Sequence, residues 1–275
     1  MLRRLASLAG AAATATCLLA APASAAQSGR GGHDDDRGPS YYLALGDSLA
    51  YGYQPTQVTG QGYVDQLYAT LHARDHGLAL KNLGCPGETA TSMLTGGVCG
   101  AGAQLDAAVA FLRDHRVGLV TLDIGANDVD GCVTATGLDQ ACVLQGLATV
   151  ASNTDQIAGR LRAAAPHATI VAMTYYDPFL ASYLTGPDGQ QLAQQSLLIN
   201  KVFNALLSAT FRAHGFRVAD VAAAFDTNDF PADVTNICEW TWMCAQPPLG
   251  PDIHANQQGY AVIAQAFLSQ IPAHA

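Results

Sequence analysis

Tyr41-Tyr42-Leu43-Ala44-Leu45-Gly46-Asp47-Ser48-Leu49 is an apolar run of strand length that meets a glycine and delivers a serine at its tip. Four further runs of the same kind follow, over 78–83, 118–124, 168–173 and 217–221. All five are short and mostly apolar rather than alternating, the pattern of strands covered on both faces. Between them, residues 63–74, 103–113, 144–164 and 192–213 repeat Leu, Val and Phe at three- and four-residue steps and predict helices. A last helix is expected over 257–268, with Asn256 as its natural N-cap. Strands alternating with helices imply parallel pairing through crossovers. The sequence therefore reads as α/β: a three-layer α/β/α sandwich around a central parallel sheet of about five strands.

Ahead of the first strand, residues 1–25 read as a cleavable export signal. Arg3 and Arg4 precede an Ala/Leu-rich segment, and Ala23-Ser24-Ala25 supplies a small-residue cleavage pattern. The paired arginines leave general and twin-arginine export both open. The apolar segment ends at Ala21-Pro22, too short for a span of about 20 residues, so no stable membrane insertion is expected. Cys17 belongs to that apolar run, which continues through Leu18-Leu19, rather than to a lipid-attachment site. Residues 26–39 form a flexible linker, and its His33-Asp34-Asp35-Asp36 reads as a solvated stretch, not a cation site. Residues 40–275 then make a single domain.

The chain carries 13 basic and 22 acidic residues. The export signal removes two arginines and no acid, leaving 11 against 22, a balance of −11. Such a surface repels phosphate backbones and anionic membranes, which argues against a nucleic-acid partner. A secreted monomer is the expected state. Beyond the signal stand Cys85, Cys99, Cys132, Cys142, Cys238 and Cys244. An even number in an exported chain favours disulfides over metal ligation. Fifteen connectivities are possible; the sequence-local pairs Cys85–Cys99, Cys132–Cys142 and Cys238–Cys244, each clamping one loop, are the pairing expected. No Cys-x2-Cys element is present, so no metal is expected.

Ligands of open parallel sheets bind beyond the carboxyl ends of the strands. Four segments fall there: Gly46-Asp47-Ser48, Gly84-Cys85-Pro86-Gly87-Glu88-Thr89, Gly125-Ala126-Asn127-Asp128 and the loop ending at His254. A serine hydroxyl is a poor nucleophile unless a base takes its proton. Acyl transfer also needs donors aimed at the oxyanion. Ser48 is the candidate nucleophile and His254 the candidate base. His72 and His76 fall on a helix, and His115, His167 and His214 flank helix ends, where capping or solvent-facing roles are ordinary. Gly87 can bring a backbone N–H close to a ligand and Asn127 carries an amide, though each alone is equally a turn residue.

Together these segments resemble, in order, the four blocks of the SGNH (GDSL-type) hydrolase superfamily. The blocks are Leu45-Gly46-Asp47-Ser48-Leu49-Ala50, Asn82-Leu83-Gly84-Cys85-Pro86-Gly87-Glu88-Thr89, Gly125-Ala126-Asn127-Asp128 and Asp252-Ile253-His254-Ala255-Asn256. The resemblance runs from Tyr41 to Ile271 and is strongest to secreted actinobacterial-type esterases and lipases, some of which carry three local disulfides. It implies a flavodoxin-like fold and a cofactor-free carboxylic ester hydrolase. Ser48 would be the nucleophile and His254 the base, with an oxyanion hole from the N–H groups of Ser48 and Gly87 and the Asn127 amide. One departure stands out. The family's acid lies three residues before the base, where this chain has Pro251, and Asp252 lies only two before His254. Side chains at i and i+2 of an extended segment point the same way, which makes Asp252 the candidate acid. The alternative is a Ser–His dyad with a backbone carbonyl near Pro251 as acceptor. If Asp252 acts, Asp252→Asn should lower turnover by something approaching ~10⁴, whereas a few-fold loss supports the dyad.

The substrate is read as a small-molecule or lipid ester, with a carbohydrate deacetylase on the same site (acetyl-xylan, for example) as the alternative. The segment Ile237-Cys238-Glu239-Trp240-Thr241-Trp242-Met243-Cys244 reads as a small disulfide loop that either walls an acyl pocket or touches a lipid interface, or equally packs on the core. Tyr51 and Tyr53 carry the same two readings. An ordinary α/β-hydrolase is disfavoured because Gly46-Asp47-Ser48-Leu49-Ala50 lacks the second glycine of Gly-x-Ser-x-Gly. A calcium loop over 123–131 fails because its first ligand position would be Ala126. A non-catalytic lipid- or carbohydrate-binding module is opposed by the intact Ser48 and His254.

Overall fold

Tyr42, Leu43, Ala44 and Leu45 are four consecutive residues without solvent exposure, which only a strand covered on both faces can achieve. They belong to β1 (Ser40–Gly46) in the computed structural model, which describes residues 40–134 and 137–272. The expected export signal (1–25, with Cys17) and linker (26–39, with His33 to Asp36) lie outside the described residues. The other strands of the main sheet are β2 (Leu78–Asn82), β3 (Val117–Asp123), β6 (Thr169–Met173) and β7 (Arg217–Ala219). A small antiparallel hairpin, β4 (Val133–Thr134) with β5 (Gly137–Leu138), follows β3. The main sheet is wholly parallel, in the order β2-β1-β3-β6-β7. The α/β class and the five-stranded parallel sheet are borne out.

That order decides where a ligand can sit. The chain leaves β1 one way to reach β2, then crosses back and proceeds β3, β6, β7 in the other direction. Right-handed crossovers then put successive helices on opposite faces. Accordingly α2 (Tyr63–His72) packs with the C-terminal α9 (Gln257–Gln270), while α3 (Ala90–Thr95), α4 (Gln104–Asp114), α5 (Gln140–Ala164) and α6 (Pro187–Ala213) pack with one another. The reversal lies between β1 and β3. The loops after those two strands diverge there and open a crevice. Ser48 opens the one-turn helix α1 (Ser48–Tyr51) after β1, and Asn127 lies in the turn after β3.

Several boundaries differ from expectation, each for a local reason. β7 stops at Ala219 because Asp220 caps the one-turn helix α7 (Val221–Ala224), its Oδ1 accepting the Ala223 N–H at 3.1 Å. α5 starts four residues before the expected 144, because Asp139 Oδ1 accepts two orphan N–H groups at its start. α6 starts at Pro187, a residue suited to a first helical position. His76 is not helical: α2 ends at His72, and His76 falls in the turn before β2. The segment expected as a disulfide loop is half helix, since α8 (Val234–Trp240) contains Cys238. The disulfides join Cys85 to Cys99, Cys132 to Cys142 and Cys238 to Cys244.

Candidate active site

The end of β1 is built to present Ser48. Gly46 has φ +147°, and a Cβ on it would lie 2.5 Å from the Asp123 side chain and carbonyl. Only glycine lets these two backbones approach so closely. The Gly46 N–H donates to Gln104 Oε1 at 2.8 Å, and its carbonyl accepts from Gln104 Nε2 at 2.9 Å and from the Cys85 N–H at 3.0 Å. Asp47 then caps α1, its Oδ1 accepting the Leu49 N–H at 2.9 Å. Asp123 Oδ2 accepts the N–H groups of Asp47 at 3.1 Å and Ala50 at 3.2 Å. The N–H groups on both sides of Ser48 are thus spent on carboxyl oxygens. Among the described residues, the Ser48 N–H has no partner.

Asp47 and Asp123 lie fully enclosed beneath this turn. Tyr175 donates to Asp47 Oδ2 at 2.9 Å, and Tyr63 donates to Asp123 Oδ1. Burial pushes both carboxyls up, Asp123 further because the charge of Asp47 lies beside it. Two carboxylates this close resist ionising together, and Asp123 is the harder of the two to ionise. None of Asp123, Gln104, Tyr63 and Tyr175 was singled out as functional from the sequence. The one available signal was Asp123, an ionisable residue inside an otherwise apolar strand.

On the opposite side, His254 Nε2 lies 2.7 Å from Ser48 Oγ. Its Nδ1 lies 2.6 Å from Asp252 Oδ1, the same oxygen that accepts the His254 backbone N–H at 2.9 Å. The two-residue spacing therefore reaches the imidazole through a tight turn in which one oxygen serves both donors. Burial opposes ionisation of Asp252, but its hydrogen bonds from His254 and that residue's charge outweigh it and hold the carboxyl below the ordinary range. Tyr53 packs against the His254 ring, centroids 4.5 Å apart, whereas Tyr51 is exposed.

The segment carrying His254 is held by the disulfide-bonded stretch before it. Trp242 N–H donates to the His254 carbonyl at 3.0 Å, and the Trp242 carbonyl accepts from Asp252 N–H at 3.1 Å. Thr241 and Ala255 form an antiparallel bridge. Trp240 packs edge-on against Phe225, and neither tryptophan lines the cavity beside Ser48. The stretch packs and braces, and its tryptophans do not wall the acyl cavity.

That cavity encloses about 750 Å³, open mouth included, and its wall contains Ser48, His254 and Asn127. Asn127 Nδ2 donates one N–H to the Glu88 carbonyl at 2.9 Å, which fixes the amide and leaves its second N–H. Gly87 is not part of the cavity wall. It sits at φ +82° on an exposed turn, one residue before that Glu88 carbonyl, and a Cβ there would meet only Val98 at 3.8 Å. Its backbone angle, not lack of space, favours glycine. Among the described residues its N–H has no partner.

A buried hydroxyl, an imidazole and a carboxylate in hydrogen-bonded series, with unspent N–H groups nearby, make up the equipment of acyl transfer. The chain belongs to the GDSL-like Lipase/Acylhydrolase family, which it matches over residues 44–262. It is a carboxylic ester hydrolase. Its fold is similar to that of phospholipase A1 from Streptomyces albidoflavus NA297, with a TM-score of 0.59 at 20% identity over 84% of this chain and 99% of that one. An extracellular lipase from Streptomyces rimosus gives 0.56 at 20% identity over 84% and 100%. A lipolytic G-D-S-L protein from Veillonella parvula DSM 2008 gives 0.51 at 18% identity over 84% and 97%. No curated protein sequence matches the chain. Among the described residues no helix is long and apolar enough to cross a membrane.

Proposed function

We propose that this chain is a secreted serine esterase or lipase acting through an acyl-enzyme on Ser48. His254 Nε2 takes the Ser48 proton as Oγ attacks the ester carbonyl. The resulting oxyanion is met by the Ser48 N–H and the free N–H of Asn127, which line the cavity, with the unpartnered N–H of Gly87, outside the cavity wall, as the third donor that the family resemblance implies. His254, paired with Asp252, then returns the proton to the leaving alcohol. Water, deprotonated by the same imidazole, attacks the acyl carbonyl and releases the acid and Ser48. The observation that carries this reading is the 2.7 Å contact between His254 Nε2 and Ser48 Oγ.

Apolar side chains of Val129, Val143, Ile199 and Phe203 in the cavity wall suit an acyl chain or another apolar part of the ester. The two Streptomyces neighbours, a phospholipase A1 and an extracellular lipase, favour lipid esters. Export is supported by the signal-like residues 1–25 and by three disulfides, which persist in oxidising compartments.

A fluorophosphonate probe tests the mechanism: it should label the wild-type chain at Ser48 and leave Ser48→Ala unlabelled. A folded wild-type chain that never reacts would be a binding module. 4-Nitrophenyl esters from acetate to palmitate, run beside acetylated xylan, test the substrate. Activity on acetyl sugars alone would overturn the lipolytic preference.

A further inference from the structure

Glu88 is 3% exposed, yet no step of the ester cleavage above uses its carboxyl. That carboxyl is held by neutral groups: Oε1 accepts from the Ser92 hydroxyl, and Oε2 accepts from Gln104 Nε2 at 3.2 Å. Taking a carboxyl out of water costs more than burying an apolar side chain, so its place in the interior needs a cause. Its partners supply one. Buried Gln104 holds both the N–H and the carbonyl of Gly46, two residues before Ser48. Its Nε2 carries two N–H groups, of which Gly46 and Glu88 take one each. With the amide turned over, its oxygen would face both the Gly46 carbonyl and the Glu88 carboxyl. Glu88 thus fixes the orientation in which Gln104 grips the Ser48 turn. From the same residue, the backbone carbonyl accepts Asn127 Nδ2 at 2.9 Å and so aims the remaining amide N–H. Other ties join these segments independently: the Cys85 N–H to the Gly46 carbonyl at 3.0 Å, and the Ala90 N–H to Asp128 Oδ2 at 2.8 Å. Loss of the Glu88 carboxyl should therefore leave the loops in place while loosening their exact register.

We propose that Glu88 is a positioning residue for the ester cleavage: its carboxyl, through Gln104, and its carbonyl, through Asn127, fix the distance between Ser48 Oγ and the oxyanion donors. The proposal rests on the esterase reading above. The transition state, with the oxyanion formed, depends on that distance more than the bound ester does, so Glu88 acts on kcat rather than on KM. The role requires reach and an acceptor, not a charge. Glu88→Gln keeps both: its amide oxygen faces Gln104, and its NH2 faces Ser92 Oγ, whose hydroxyl turns to the Thr89 carbonyl 3.3 Å away. Glu88→Asp keeps the carboxyl but is one methylene too short to span Ser92 and Gln104.

The test is kcat and KM on 4-nitrophenyl butyrate, with thermal unfolding to confirm that each variant is folded. Glu88→Ala should lower kcat by about tenfold to 100-fold and leave KM within about threefold. Glu88→Asp should show part of that loss, and Glu88→Gln should recover most of it. If the Ala variant does not fold, the comparison of Asp with Gln carries the test. In an Asn127→Ala background the Ala or Asp substitution should cost at least about threefold less than it does alone, because the donor that Glu88 aims is gone. Losses that multiply in full would mark a general structural role and overturn the proposal. So would a kcat unchanged in the folded Ala or Asp variant, a raised KM with kcat intact, or a Gln variant no better than Asp. A wild-type chain that cleaves no ester and leaves Ser48 unlabelled by fluorophosphonate would instead refute the underlying reading.

Discussion

Asp252→Asn should be far milder than the ~10⁴ loss expected from the sequence, because of how one oxygen is shared. In serine hydrolases where that substitution costs ~10⁴, the amide presents its NH2 to the histidine and imposes the wrong tautomer. Here Asp252 Oδ1 accepts both the His254 backbone N–H at 2.9 Å and Nδ1 at 2.6 Å. Turning an NH2 group towards two donors would strand both, so the substituted amide keeps its oxygen in place and the proton stays on Nδ1. What is lost is the charge. A unit charge about 4 Å from the imidazolium contributes about 1 kcal/mol in water and about 4 kcal/mol at an effective dielectric of 20. The Asp252 side chain is 24% exposed, which places it between those limits. A loss of about 2–3 kcal/mol corresponds to roughly 30- to 200-fold in kcat/KM. Asp252→Ala also removes the acceptor, adding about 1–3 kcal/mol, so its loss should be about 5- to 150-fold greater than that of Asn and reach roughly 10²–10⁴ in all. The assay is kcat/KM on 4-nitrophenyl butyrate, with active sites counted by fluorophosphonate titration. An Asn variant as impaired as the Ala variant would refute the shared-oxygen argument. Losses of only a few-fold in both would leave Ser48 and His254 as a dyad.

Asn127→Ala should lower kcat by ~10²–10³ through loss of one oxyanion donor, with thermal unfolding showing only the loss of a single hydrogen bond to Glu88, about 1 kcal/mol. A variant that keeps its activity would remove Asn127 from the oxyanion hole. Asp123→Asn and Asp123→Leu, compared by urea denaturation, test which carboxyl of the buried pair holds the proton. Because burial and the neighbouring Asp47 disfavour a charge on Asp123, Asn, which keeps an oxygen for the Asp47 and Ala50 N–H groups, should cost about 1 kcal/mol or less, whereas Leu strands both N–H groups and should cost about 3–5 kcal/mol. Equal losses would mean that Asp123 is ionised.

The sheet was legible because its strands are enclosed on both faces, and enclosure writes itself as apolar runs such as Tyr42 to Leu45. Helix starts were less legible. Gln140 and Pro187 begin helices with residues that carry no apolar period, so reading from the first periodic leucine begins each helix late. The places of Ser48 and His254 were legible because a polar residue at a strand tip or before a helix cap is a local feature. The Asp47–Asp123 pair was not, since its members lie 76 residues apart and meet only when β1 and β3 pair. The stretch from Trp240 to Cys244 was ambiguous in its composition. Its tryptophans suggest a ligand wall, but backbone N–H and carbonyl groups do the bracing, and these are common to every residue.

The reacting pair is 206 residues apart in the chain, and its two halves are held by separate supports. Asp123, Gln104 and the Cys85 N–H hold the Ser48 turn from inside the sheet, where each contact is buried and made to backbone. The His254 segment leans on Trp240, Thr241 and Trp242 through backbone bonds at the edge of α8, a stretch tied by Cys238–Cys244 and only partly enclosed. The imidazole ring is held by Tyr53 and the shared Asp252 oxygen, and the Ile253 carbonyl beside it accepts from the Tyr176 hydroxyl at 2.8 Å. A change far from either reacting atom can then lower turnover by loosening that segment while Ser48 remains correctly presented.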